Sequence, residues 1–459
     1  MASRALVIGL DCAPPDLVFE RWRDELPVLR GLMEQGTYGV LRSCDPPITV
    51  PAWTSMTSSR SPGTLGVYGF RNRRSRFYDG VAIADSRTVR VPRVWDLLSA
   101  RGRDVIVIGV PQTYPASEVN GVMVACFLTP NTRTTPYTYP PELGNEIEHL
   151  VGDYTTDVAD FRTNDKDRLR VELEDMTEKR FRVAEHLLAT RPWHLFFMVE
   201  MGTDRVQHGF RRYFDPLHRL HEAGNRFEQV ALDYYRALDE KVGRLLRFAD
   251  DETAVLVVSD HGAKRMEGAI CVNEWLRGEG YLTLKDEPAE PTALTADLVD
   301  WQRTAAWGEG GHYCRLFLNV AGREPQGVVS PTDYERVCQE LKTKLEALGD
   351  ERGRPLETLA HTPEDLYPEV NGVAPDLLVY FDDLHWRSNG RVGTDSLHVA
   401  ENDTGPDDAN HAHEGVYVLA ANGVRARPGP ERDLRDVAPT LLALLGEPIP
   451  PEMEGSPLL

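Results

Sequence analysis

The chain alternates between two hydrophobic patterns. Short apolar runs closing in polar or small residues occur at 5–11 (ALVIGLD), 104–110 (DVIVIGV), 194–204 (HLFFMVEMGTD), 254–262 (AVLVVSDHG), 376–383 (DLLVYFDD) and 415–423 (GVYVLAANG). Unbroken runs of this kind suit strands buried on both faces, which predicts a mostly parallel sheet with helices on both sides. Between them, apolar residues recur every three or four positions at 225–250, a polar helix is expected at 167–189 and another helix near 332–348. The segment 433–446 opens on acids and stops at Gly446, as a helix should. The pattern therefore predicts an α/β fold, with ligands at the carboxyl ends of the strands.

That expectation gives meaning to the polar residues closing the runs. Asp11, Asp204, Asp260 and His261 all stand at or just beyond the exit of a predicted strand. Two stretches interrupt the alternation, about 130–190 and 265–370, and read as insertions capping one elaborated domain.

Composition narrows the function. A net charge of −21 repels polyanions, so nucleic acid is not expected as a partner, while a bound metal would still admit a small anion. The six cysteines include no C-x-x-C pair, which argues against a thiolate zinc site and a disulfide framework. The first apolar run is too short for a signal peptide or membrane span, so no membrane association and a cytoplasmic location are expected. Oligomeric state has no signature here.

Five stretches carry candidate chemistry. In GTDRVQHGF (202–210) a helix starting at Gly202 would put Asp204 and His208 on one face, spaced to share a divalent ion. In SDHGAK (259–264) Asp260 and His261 are adjacent, and would reach one ion only where the chain bends, a bend assigned to Gly262. HAHEG places His411 and His413 just before a strand, and Asp11 tips the first one. In DPPITVPAWTSMTSS (45–59) Pro51 suits a first helical turn, and Thr49 just ahead is either an N-cap or a nucleophile. A helix N-terminus favours a phosphate and a forming alkoxide. Together these are carboxylates, imidazoles and a hydroxyl at one sheet end, a nitrogen–oxygen set for two divalent ions.

These motifs, with ITVPAWTSMTSSRSPGTLGVYGF (48–70), GREPQGVV (322–329) and the tail from 436 to 458, resemble the alkaline phosphatase superfamily. The type I phosphodiesterase/nucleotide pyrophosphatase group is the nearest in pattern. The resemblance implies one metal held by Asp11, Asp260, His261 and the Thr49 oxygen, and another by Asp204, His208 and His411. His413 is the alternative ligand from the same loop. It implies Zn²⁺, or Mn²⁺, and a phosphoryl hydrolase acting through a phosphothreonine at Thr49 on a small phosphodiester or nucleotide-type ester. A phosphotransferase or mutase, a sulfuryl or phosphonate enzyme, and a noncatalytic binding protein are the alternatives on this core. Trp53, Lys264 and His312 are weaker candidates for substrate contact, and Arg71, Arg73 and Arg74 for a distal anion. The chain departs from the group at Ala52, where an Asn is usual, and at Leu65, where many have His. CAPPD (12–16) ends in Asp16 where a formylglycine sulfatase needs Arg.

Overall fold

The computed structural model describes residues 2–458. Its centre is a ten-stranded sheet. Across it run Arg427–Pro428, Thr37–Arg42, Glu414–Ala420, Thr253–Val258, Arg4–Leu10, Leu195–Glu200, Val105–Ile108, Gly121–Val124 and Thr138–Tyr139, with Arg432–Asp433 beside Thr37–Arg42. The pairs around Arg4–Leu10 are parallel, as the unbroken apolar runs predict.

Successive residues of each strand enter opposite cores. Leu6, Ile8 and Leu10 join Phe196, Met198, Val255 and Val257 on one face, under helices Pro27–Gln35, Lys166–Thr190, Gly202–Phe214 and Val230–Leu245. Ala5 and Val7 join Phe197, Val199, Leu256 and Val258 on the other, under Thr49–Ser58, Val94–Ala100 and Val437–Leu444. Period-two alternation with both faces apolar makes these runs look continuous.

Two predicted features sit elsewhere. The Leu377–Tyr380 strand is outside the central sheet. It pairs antiparallel with Cys314–Leu318 and Leu359–His361 in a four-stranded sheet completed by Ala306–Glu309. That sheet has its own core of Leu316, Leu318, Leu341, Leu377 and Val379, so its strands are as apolar as central ones. The Lys166–Thr190 helix, expected in a cap, covers the central sheet through Leu169, Leu173, Met176 and Phe181. Among the described residues no helix is long and apolar enough to cross a membrane.

Register decides what meets at the lip. Leu10 lies beside Glu200, and Gly9 beside Val258, so Asp11, the helix after Glu200 and Asp260 emerge together. Glu414–Ala420 runs the opposite way, with Tyr417 facing Val258. Its entrance, not its exit, therefore reaches that lip, and this brings His411 there.

Candidate active site

Each site element is locked locally before it offers a side chain. Glu200, ending its strand, accepts the Gly202 N–H at 2.8 Å and packs against Arg180, which starts the Gly202–Phe214 helix at a fixed place. No side chain fits at Gly202: a Cβ would lie 1.9 Å from Tyr234 Oη. The Thr49–Ser58 helix is buried along its whole length. Its Thr54, Thr57 and Ser58 hydroxyls donate back to the Val50, Trp53 and Thr54 carbonyls at 2.6–2.7 Å, so the helix carries no unpaired hydroxyl at these three positions. Thr49 is the first helical residue, after Ile48 at the N-cap, and its hydroxyl caps nothing. Thr49 Oγ1 lies 3.3 Å from His261 Nε2.

The turn at 259–262 is made differently from expectation. Gly262 starts a strand paired with Ala412, and glycine is needed there because a Cβ would lie 2.2 Å from the Glu414 carbonyl. Ser259 stitches the bend, donating to the His261 carbonyl at 2.7 Å and accepting the Ala13 N–H at 2.8 Å. The left-handed residue at this lip is Cys12, with φ 59°.

The three carboxylates share one design. Asp11 Oδ2 accepts the Trp53 indole N–H at 2.7 Å, Asp260 Oδ1 accepts the Cys12 N–H at 3.3 Å, and Asp204 Oδ2 is gripped by Arg205. The other oxygen of each, Asp11 Oδ1, Asp260 Oδ2 and Asp204 Oδ1, is buried with no hydrogen-bond partner.

The three imidazoles mirror it. His208 Nδ1 donates to Asp407 at 2.6 Å, His411 Nδ1 to the Pro47 carbonyl at 2.9 Å, and His261 Nδ1 to the Gly262 carbonyl at 3.1 Å. All three Nε2 atoms then face the orphan oxygens, and Asp407 and Asp204 hold His208 above its usual range while burial keeps the other two rings neutral. His261 Nε2 is 3.2 Å from Asp260 and 3.6 Å from Asp11, while His208 and His411 Nε2 are 3.4 and 3.6 Å from Asp204 Oδ1. Anchoring the far ring nitrogen is how proteins orient metal-ligating histidines. Ligand atoms of Asp11, Asp204 and His261 lie within 4.8 Å of one another, as do those of His208, His312 and His411.

Electrostatics agrees with a cation-binding role. Burial, with Asp204 close by, pushes the Asp11 carboxyl well above the usual range, and burial with Asp11 does the same to Asp260. Burial would raise Asp204 too, but His208 and Arg205 hold it well below. Burial drives His261 and His411 down, which keeps their Nε2 lone pairs free. Leaving three buried carboxylate oxygens unpaired is costly, and a cation among them would remove the penalty. The donor set is nitrogen and oxygen, so it fits borderline divalent ions. The Cys12 sulfur is within reach of His261 and His411, but burial and the nearby carboxylates raise its pKa and keep it a thiol.

The weaker candidates separate. His312 joins the cluster, stacked on His411 at 3.9 Å. Trp53 is fully buried and holds Asp11, so it makes no wall for substrate. Lys264 pairs with Asp383, away from the cavity. His413 Nε2 lies 2.9 Å from Asp45. Of the three arginines in the 71–74 cluster only Arg71 lines the cavity; Arg73 is buried over Trp307 and Phe317, and Arg74 is exposed. Sequence reading missed Asp407, Arg205 and Asp157. Asp407 lies four residues before His411, with no pattern to mark it.

The cluster opens into a cavity of about 490 Å³ walled by Thr49, Phe70, Phe127, Phe161, His312 and Tyr313 with several arginines. Residues 5–407 match the family model of type I phosphodiesterase / nucleotide pyrophosphatase. The chain belongs to this family. No curated protein matches it by sequence. Among solved structures, human ectonucleotide pyrophosphatase / phosphodiesterase 5 superposes with TM-score 0.59 at 12% identity, covering 99% of this chain and 97% of that one. An inactive threonine-to-alanine form of the murine protein, in complex with AMP, gives TM-score 0.56 at 13% identity, covering 99% and 97%. Phosphonoacetate hydrolase from Sinorhizobium meliloti, in complex with phosphonoformate, gives TM-score 0.58 at 14% identity, covering 96% and 95%. At such identities the likeness shows the fold, and the shared family shows the chemistry class: phosphodiesterase or pyrophosphatase.

Proposed function

We propose that this family member hydrolyses small phosphate esters, phosphodiester or nucleotide-type, through a phosphothreonine at Thr49 with two divalent ions. One observation carries the reading: the orphaned oxygens of three buried carboxylates, Asp11, Asp204 and Asp260, converge with the Nε2 atoms of His208, His261 and His411, and the Thr49 hydroxyl lies 3.3 Å from His261 Nε2. Asp11, Asp260, His261 and Thr49 would hold one ion, and Asp204, His208 and His411 the other, Zn²⁺ or Mn²⁺. When bound, such ions supply Lewis acidity and neutralise charge on the phosphoryl oxygens.

The chain's own residues set up the displacement. Thr49 sits at a helix start, where the dipole favours an alkoxide, and its hydroxyl is free of capping duty. Its oxygen forms the bond to phosphorus as the ester oxygen leaves in line. Water then cleaves the phosphothreonine, returning phosphate or its monoester and restoring the hydroxyl. The murine neighbour, of the same fold, is inactive as a threonine-to-alanine form, which favours a threonine nucleophile on this core. The phosphonoformate complex of another neighbour favours a second reading, a phosphonate substrate on the same core. All six cysteines are free and buried, which supports a reducing, cytoplasmic setting.

The test is Thr49→Ala assayed with a generic aryl phosphodiester. Turnover is expected to fall by about 10³-fold or more while elemental analysis still finds two ions per chain. Turnover within a few-fold of wild type would remove Thr49 from the mechanism.

A further inference from the structure

Two arginines in the cavity have more positive charge than their partner takes up. Arg162 Nε and Arg387 Nη1 both donate to Asp407 Oδ2 at 2.6 Å, while Asp407 Oδ1 already accepts His208 Nδ1. One carboxylate thus serves two guanidiniums and an imidazole. The Arg387 side chain is only 3% exposed and its Nε–H has no hydrogen-bond partner. Both side chains line the cavity, with Arg162 resting over Phe161 at 4.5 Å. Of the acids lining the cavity, Asp157 and Asp204 pair with Arg205, and Asp403 is half-buried and forms no ion pair with an arginine among the described residues. Arg315 there is taken by Glu309 at 2.8 Å.

Because Asp407 holds His208, this arginine pair flanks the Asp204–His208–His411 end of the cluster. A buried guanidinium with a free N–H beside a ligand cavity is costly unless an oxyanion completes it. Burial and the neighbouring Arg162 push Arg387 down to about 10, as expected where counter-charge is short.

We infer that Arg162 and Arg387 form a second anion subsite, so that the preferred substrate carries a carboxylate or second phosphoryl group beyond the reacting phosphorus. This rests on the reading of the cavity as the phosphoryl site. The apolar wall of Phe70, Phe127 and Tyr313 would take the carbon spacer between the two charges.

Equilibrium binding to the metal-loaded enzyme tests this without turnover. The probes are benzylphosphonates bearing a meta carboxylate, a meta phosphonomethyl group or a meta carboxamide, titrated calorimetrically. At least one dianionic probe is expected to bind about 10-fold or more tightly than the amide, and which one names the group. Arg162→Gln and Arg387→Lys should each bring that ratio below about 3, the first from a partly exposed site where folding is not at risk. Equal binding of all three probes, or a ratio untouched in both variants, overturns the subsite. A preserved ratio in wild type with hydrolysis indifferent to Thr49→Ala would instead leave the subsite standing and sink the Thr49 mechanism.

Discussion

At the scale of single residues the site is built by halves. Each carboxylate gives one oxygen to the protein and keeps one free, and each imidazole anchors Nδ1 and presents Nε2. Trp53 matters because its indole fixes which half of Asp11 faces inward. Trp53→Phe leaves Asp11 Oδ2 unpaired, so we expect a loss of about 1–3 kcal/mol in stability and about 10- to 100-fold in metal affinity. Urea unfolding and metal titration measure the two separately. The two loop histidines should part company equally clearly. His411→Asn should lose one of the two ions and most activity, whereas His413→Asn, which disturbs contacts to Asp45 and Tyr380 and none to the carboxylate cluster, should keep both ions. The motifs named Asp11, Asp204, His208, Asp260, His261 and His411, because strand-end acids and helix spacing are local signals. Asp407 and Trp53's true partner were not legible, since they act across long stretches of chain, and Arg205, though next to Asp204, carries no motif to mark it.

Elements decide whether those residues hold their places. The segment after the Gly202–Phe214 helix returns to the site through His218, whose Nδ1 accepts the Leu220 N–H and whose Nε2 donates to the Asp408 carbonyl, both at 3.1 Å. Only the neutral ring makes both bonds. Burial and the Arg212 charge accordingly push its pKa down to about 4. The unfolded chain takes up this proton near pH ~6.5 and the folded chain resists it until about 4, so stability is lost as pH falls through that window. The loss should be on the order of 2–3 kcal/mol, seen as a fall in the urea midpoint between pH 7 and 4 that His218→Gln makes shallower. Helices were legible from their spacing to within a few residues. The Leu377–Tyr380 strand was recognised as a strand but assigned to the wrong sheet, because a run buried in a small core has the same composition as one buried in a large core.

For the whole molecule, function opposes stability. Burial and neighbouring carboxylates push the acids Asp11 and Asp260 well above their usual range, so ionising them without a cation costs stability. Zn²⁺ or Mn²⁺ at about 100 times its dissociation constant should stabilise the protein by about 2.7 kcal/mol per site. Asp260→Asn should show the opposite sign pattern: a higher unfolding midpoint without metal, and a smaller rise with it. Calorimetry with and without chelator reads both.

From sequence alone came the α/β class, several of the helices, the family resemblance and seven of the polar residues at the cluster, because burial patterns and strand-end chemistry are written in neighbouring positions. Only the tertiary structure decided that they converge. The parallel register of three strands and the reversed run of Glu414–Ala420 bring residues up to 400 positions apart to one lip, and no local pattern encodes such pairing. Which oxygen or nitrogen stays free was likewise settled by distant partners at Asp11, Asp260, His208 and His411, and by the adjacent Arg205 and Gly262 at Asp204 and His261.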